Sequence, residues 1–193
     1  MRHLSRCAPV FALLALVAVP AASAQGNPHA REGFWIGVGS GFGSVDFVCD
    51  TCANFDRESG LLTFLKAGTT VSPRTLVGVE LAVWRKDISG STVTVGQVNV
   101  AGSFYLRPQS GFFLKIGGGF STYSSTNGGE RSGLGGAFTL GAGYDIRVAS
   151  NISLTPVVGY LHGDVDDIKV DGVTQDAAWR QSAFHIGLGV TFH

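Results

Sequence analysis

The feature that most constrains this chain is a period-2 alternation that runs through nearly all of it after residue 32. In the run Leu76-Val77-Gly78-Val79-Glu80-Leu81-Ala82-Val83, residues Val77, Val79, Leu81 and Val83 share one parity, and Gly78, Glu80 and Ala82 share the other. Successive side chains of a strand point to opposite faces, so each such run builds a strand with one apolar face and one small or polar face. A sheet in water turns its charged face out. A closed sheet in hydrocarbon turns the apolar face out and keeps the charges in the lumen.

The amino terminus says which solvent the chain meets. A basic start (Arg2, Arg6), a short apolar run from Val10 to Val19 and the closing Ala22-Ser23-Ala24 make a secretory signal peptide over residues 1–24. Residues 25–32 then form a short periplasmic segment, and residues 33–193 a single barrel domain. The apolar run is too short to span a membrane as a helix. With Arg2 and Arg6 removed, the 14 basic residues fall to 12 against 14 acidic ones, a formal charge of −2 that offers nothing to nucleic acid. The 28 glycines and 13 phenylalanines, with 15% charged residues, exclude a disordered chain and disfavour a helical one.

The spacing predicts about eight strands, near 33–45, 60–71, 75–86, 93–106, 111–121, 134–147, 152–162 and 179–192, each at or above the roughly 9–11 residues that cross a bilayer at a tilt. Ser72-Pro73-Arg74, Arg107-Pro108-Gln109-Ser110 and Ala149-Ser150-Asn151 are tight turns, and the alternate connections are expected to be long polar loops. Charged residues mark the inward parity: Lys66, Glu80, Gln97, Asn99, Lys115, Asp145 and His185 fall inside, while Leu65, Val79, Val98, Val100, Leu114, Ile116, Leu140, Ile186 and Leu188 fall outside. No mid-strand charge lands on the outward parity, where it would cost roughly 2–4 kcal/mol at the midplane. Outward aromatics gather at both strand ends, as membrane interfaces select.

With this pattern, the signal peptide, the strand count and the closing strand Phe184-His185-Ile186-Gly187-Leu188-Gly189-Val190-Thr191-Phe192, the chain from Gly33 to His193 resembles the small OmpA/OmpX-type outer-membrane β-barrel superfamily. The resemblance implies an all-β fold, an eight-stranded antiparallel up-and-down transmembrane barrel with short periplasmic turns and longer extracellular loops, in the bacterial outer membrane. Its implied partners are outer-membrane lipid, lipopolysaccharide and, during biogenesis, the barrel-assembly machinery. Members typically end in an aromatic that this machinery reads, a role that falls here on Phe192, followed by His193. The chain is expected to be a monomer without cofactor or metal.

Three constellations could carry chemistry. Cys49-Asp50-Thr51-Cys52 sits in the first outer connection. A redox pair needs a helix N-terminus to activate the thiol and a zinc site needs two more ligands, so a small disulfide formed in the periplasm fits best. The acidic stretch from Gly163 to Gly172 lacks the order of ligands of an EF-hand, and its Asp171-Gly172 reads as a hairpin tip. The inward Lys66, Glu80, Gln97, Asn99, Lys115, Asp145 and His185 could form a reactive set, but eight strands enclose only enough room for side chains, so a structural network with Lys66 paired to Glu80 is expected.

The expected function is therefore non-enzymatic: a barrel that anchors in the outer membrane and presents surface loops for envelope integrity or adhesion, with no catalytic residues. The alternatives are a lipid A-modifying enzyme and a narrow pore. Barrel enzymes of that kind carry His and Ser on the lipid-facing rim, and the one comparable residue, His162, has no Ser two positions on. The same parity argument predicts that Val79→Arg blocks assembly whereas Gly78→Ser is tolerated.

Overall fold

The computed structural model describes residues 31–49, 57–88, 90–125, 131–165, 168–170, 173–175 and 179–193. The signal peptide, Cys52 and the side chain of Cys49 lie outside these residues. The strands are β1 (Phe34–Cys49), β2 (Glu58–Ser72), β3 (Thr75–Ile88), β4 (Ser91–Tyr105), β5 (Phe112–Ser125), β6 (Arg131–Tyr144), β7 (Ile146–Ala149), β8 (Ile152–Val165), β9 (Ile168–Val170), β10 (Val173–Gln175) and β11 (Trp179–Phe192). Neighbours pair antiparallel in the order β1-β2-β3-β4-β5-β6-β8-β11, and β11 returns to β1 from Ile36↔Phe192 to Cys49↔Trp179, so the sheet is closed. β7 prolongs β6 after a break at Asp145 and pairs with β8. The barrel wall is thus eight strands around, and closure leaves its backbone no free edge, as a sheet in hydrocarbon requires.

The strands are longer than a bilayer crossing needs, and the excess lies at the end opposite the tight turns. There the structure departs from the expected alternation of loop lengths. β3 and β4 stay paired to Ile88↔Ser91, so only residues 89 and 90 connect them, with Gly90 at φ 81°. The polar residues that read as loop are strand instead, because a hairpin projecting from the membrane can alternate polar residues on both faces. β9 and β10 pair antiparallel from Ile168↔Gln175 to Val170↔Val173, and β9 also joins β6 at Arg131↔Val170; the expected tip at Asp171-Gly172 lies outside the described residues.

Parity decides the environment of every wall residue. Val79 is 51% exposed on the outer surface while Glu80, the next residue, is 5% exposed in the lumen. The outward band carries Leu65, Val98, Val100, Leu114, Ile116, Leu140, Ile186 and Leu188, bounded by Phe34, Phe104, Tyr144 and Phe192 at the short-turn end and by Phe42, Phe120, Phe138 and Phe184 at the other. The lumen is packed with side chains. Near the projecting end Val45, Phe47, Leu62, Phe64, Trp84, Val93, Val95 and Leu161 form one apolar cluster, and near the short-turn end Trp35, Leu76, Tyr105 and Phe113 form another. A polar layer lies between them.

Such large rings fit in so narrow a lumen only over glycine. The Trp35 ring lies against Gly68 and Gly78, partners in the β2–β3 register, and a Cβ at Gly78 would overlap both that ring and the Ala67 carbonyl. The expected tolerance of Gly78→Ser is therefore corrected: this inward position is closed to any side chain because backbone, which cannot swing aside, is one of its neighbours. Val79→Arg places a charge on the hydrocarbon side at roughly 2–4 kcal/mol and is expected to abolish the heat-modifiable band of the folded barrel. Val79→Ala should retain that band, and Gly78→Ser should unfold at a lower urea concentration than the natural sequence.

Candidate functional site

The inward parity of β2, β3 and β5 brings Lys66, Glu80 and Lys115 into one layer at mid-lumen. The Lys115 Nζ donates to both Glu80 oxygens, at 2.5 and 2.7 Å. Lys66 stands directly opposite Glu80 in the β2–β3 register, as its spacing suggests, yet the carboxylate's ion pair comes from Lys115 and corrects the expected Lys66–Glu80 bridge. Lys66 instead extends over the rings of Phe113 and Trp35, at 5.6 and 5.9 Å from their centroids, a favourable placement for a cation. The reason is barrel geometry: inward side chains share one lumen, so a long lysine on β5 reaches across β4 to a carboxylate on β3, and cross-strand adjacency alone does not choose the partner. Asn99, opposite Glu80 on β4, is fully buried and donates to Gln97 Oε1 at 3.2 Å.

His185 enters the same layer from β11, its ring lying over Gly159 of β8. Between it, Lys66, Glu80, Lys115 and Phe113 remains a void of about 10 Å³, room for one water and for no solute. Toward the projecting end Gln181 donates to Ser121 and to the Thr122 carbonyl, and Trp84 Nε1 donates to the Gly43 carbonyl at 2.9 Å.

Asp145 organises the short-turn end. At the break between β6 and β7, its oxygens accept from Tyr105 Oη at 2.6 Å and from Thr155 Oγ1 at 2.8 Å, and Arg31 Nε approaches to 3.8 Å. Arg31 is 6% exposed. Its guanidinium donates to the carbonyls of Pro108 and Ser110 at 2.9 and 2.7 Å and stacks 3.6 Å over the Tyr105 ring. Arg31, three residues before β1, thereby lies in the barrel mouth. His193 Nε2 lies 3.7 Å from Asp145, but burial holds its pKa down to about 4 against the pull of the carboxylate. Arg31 is the guanidinium at ion-pair distance from Asp145.

Six of the seven lumenal residues singled out by parity occupy the middle layers, and Asp145 lies with Arg31 and Thr155, which parity alone did not mark as its partners. Phe192 is outward-facing at the end of β11. Among the described residues the lumenal contacts fill space and pair Lys115 with Glu80, and the hydroxyls of Tyr105 and Thr155 that meet Asp145 are buried. On the outer surface, however, a residue overlooked in the sequence stands beside His162: Ser182, 20 residues away in the chain, is its direct partner in the β8–β11 register, with Oγ 2.9 Å from Nδ1. A search along one strand cannot find it; counting the register back from the last strand can.

Removing Glu80 leaves two lysines in a poorly hydrated layer, whereas removing Lys115 leaves Lys66 opposite Glu80 as a substitute. Glu80→Leu should therefore cost about 3–5 kcal/mol and Lys115→Met distinctly less. Urea midpoints in detergent micelles measure both, and equal costs would contradict this account of the layer.

The comparisons agree with the architecture. A search of the curated proteins found no match. Among solved structures the chain is similar to Neisserial surface protein A, NspA, at 15% identity and a TM-score of 0.52 over 83% of this chain and 96% of that one. It is likewise similar to Ail, the attachment invasion locus protein of Yersinia pestis, at 15% identity and a TM-score of 0.52 over 84% of this chain and 99% of that one. These likenesses establish the fold. The family model described as "Outer membrane protein beta-barrel domain" matches residues 10–192, and the chain accordingly belongs to this family of outer-membrane β-barrels.

Proposed function

We propose that this protein is a sealed outer-membrane anchor that presents its projecting hairpins and loops at the cell surface, in the service of envelope integrity or adhesion, and that its lumen serves stability alone. The observation that carries this reading is the filled lumen: an apolar layer at each end, a polar layer with the Lys115–Glu80 pair between, and Arg31 in the mouth. A solute would have to displace buried rings and break the Lys115–Glu80 pair. Burying that much apolar surface holds such a plug closed.

Two measurements test the reading. The refolded mature chain in a planar bilayer should give no stepwise conductance, and Arg31→Ala should leave it silent, because the ring layers behind Arg31 remain. A peptide tag inserted between Ser125 and Arg131 should be cleaved by protease on whole cells, while one at Gln109 should be protected. Conductance steps from the natural sequence would replace the anchor with a pore, and protection of the first tag would reverse the orientation.

A further inference from the structure

On the lipid-facing surface, level with the outer aromatic girdle, Tyr160, Ser182 and His162 are joined by hydrogen bonds, and Asp164 stands at ion-pair distance from the imidazole. Tyr160, His162 and Asp164 occupy alternate positions of β8 and therefore one face, and Ser182 of β11 stands directly opposite His162. Tyr160 Oη donates to Ser182 Oγ at 3.0 Å; Ser182 Oγ lies 2.9 Å from His162 Nδ1; His162 Nε2 lies 3.6 Å from Asp164 Oδ1. The donor order is self-consistent: with Tyr160 donating to it, Ser182 directs its own proton to Nδ1, which leaves the ring proton on Nε2 facing the carboxylate. Phe138 packs against the imidazole at 4.9 Å between centroids and Phe184 against Tyr160 at 4.8 Å, which fixes the ring planes. The His162 side chain is 21% exposed and that of Asp164 57%, so the group is open to the surroundings of the barrel and closed off from the lumen.

From this geometry we infer that Ser182, His162 and Asp164 form a hydrolytic site for acyl esters of outer-leaflet lipid, with Ser182 as nucleophile, His162 as general base and acid, and Asp164 as the positioning residue for His162. A hydroxyl within hydrogen-bond reach of a base that is itself oriented by a third group is the arrangement that activates a nucleophile, and such a site is recognised by geometry, whatever the sequence order of its members. Its place selects the substrate. Outward aromatics mark the interface between hydrocarbon and headgroups, and it is there that the ester carbonyls of acylated lipids lie. The backbone N–H groups of the wall are committed to the ladder, so the donor for a developing oxyanion has to be a side chain, and Tyr160 Oη is the one already beside Ser182 Oγ.

The chemistry balances with water as the only co-reactant. Ser182 Oγ bonds to the ester carbonyl carbon as its proton passes to His162 Nδ1, and the carbonyl electron pair moves onto oxygen. When that pair returns, the bond to the alcohol oxygen breaks and the leaving alkoxide takes the proton from His162. Water then adds to the acyl-serine, giving its proton to Nδ1; the bond to Oγ breaks, and Oγ recovers the proton. One ester and one water become one fatty acid and one alcohol. This activity lies outside the barrel wall and is compatible with the sealed anchor proposed above.

The test uses the mature full-length barrel in vesicles, with fatty-acid release as the readout and heat-modifiable migration as an independent check of folding. One arm offers lipopolysaccharide and the other phosphatidylethanolamine; release in either supports the site, and the arm that responds identifies the source of the ester. Ser182→Ala should reduce release to background, and His162→Ala should lower it at least about a hundredfold, both with migration unchanged. Asp164→Asn should lower kcat and Asp164→Glu restore it, which a merely structural carboxylate would not do. A fluorophosphonate should label Ser182, as read by peptide mass. No release from a well-folded natural barrel in either arm, or undiminished release from Ser182→Ala, would overturn the inference.

Discussion

Everything in this structure depends on the closure of β1 onto β11. In hydrocarbon an unpaired backbone N–H or C=O has no solvent to turn to, so a sheet survives there only without edges. Closure with eight strands in the wall sets the lumen at about the width of its own side chains. It also makes parity absolute, because a strand in a closed wall cannot twist one face partly into each solvent. The outward Val79 beside the inward Glu80 is the clearest instance.

The narrow lumen then dictates a trade between bulk and absence of bulk. Trp35 is accommodated only because Gly68 and Gly78 lie beneath it, and Phe64 only because Gly39 and Gly189 do. Charges tolerated between these rings are joined in a compact set: Lys115 with Glu80, Arg31 with Asp145. The arrangement stabilises by filling the lumen, where the void beside His185 measures about 10 Å³. The proposed function falls on the outer surface and the projecting hairpins, where the wall's constraints relax and polar residues occur on both parities.

The surroundings of an outward side chain change with its height on the wall. Below the aromatic girdle an outward Ser-His pair would sit in hydrocarbon without water. At its height, beside Phe138, the same pair meets headgroups, water and ester carbonyls. The β8–β11 register sets Ser182 against His162 at this height, and a slip of one residue would turn one of them into the lumen.

The sequence by itself determined the strand count, the topology and the face of each wall residue, because period-2 alternation is a local property that any strand must obey. It also placed Lys66, Glu80, Asn99, Lys115, Asp145 and His185 in the lumen for the same reason. Which of them touch was not local. Lys115 displaced Lys66 as partner of Glu80 because side chains from non-adjacent strands meet across the lumen. Asp145 took Arg31 from outside the strands, and Gly78 proved closed because the ring of Trp35 arrives from another strand. Ser182 met His162 only through the pairing of β8 with β11. Alternation is written in neighbouring residues; contact is written in closure and shear, which exist only once the chain has folded.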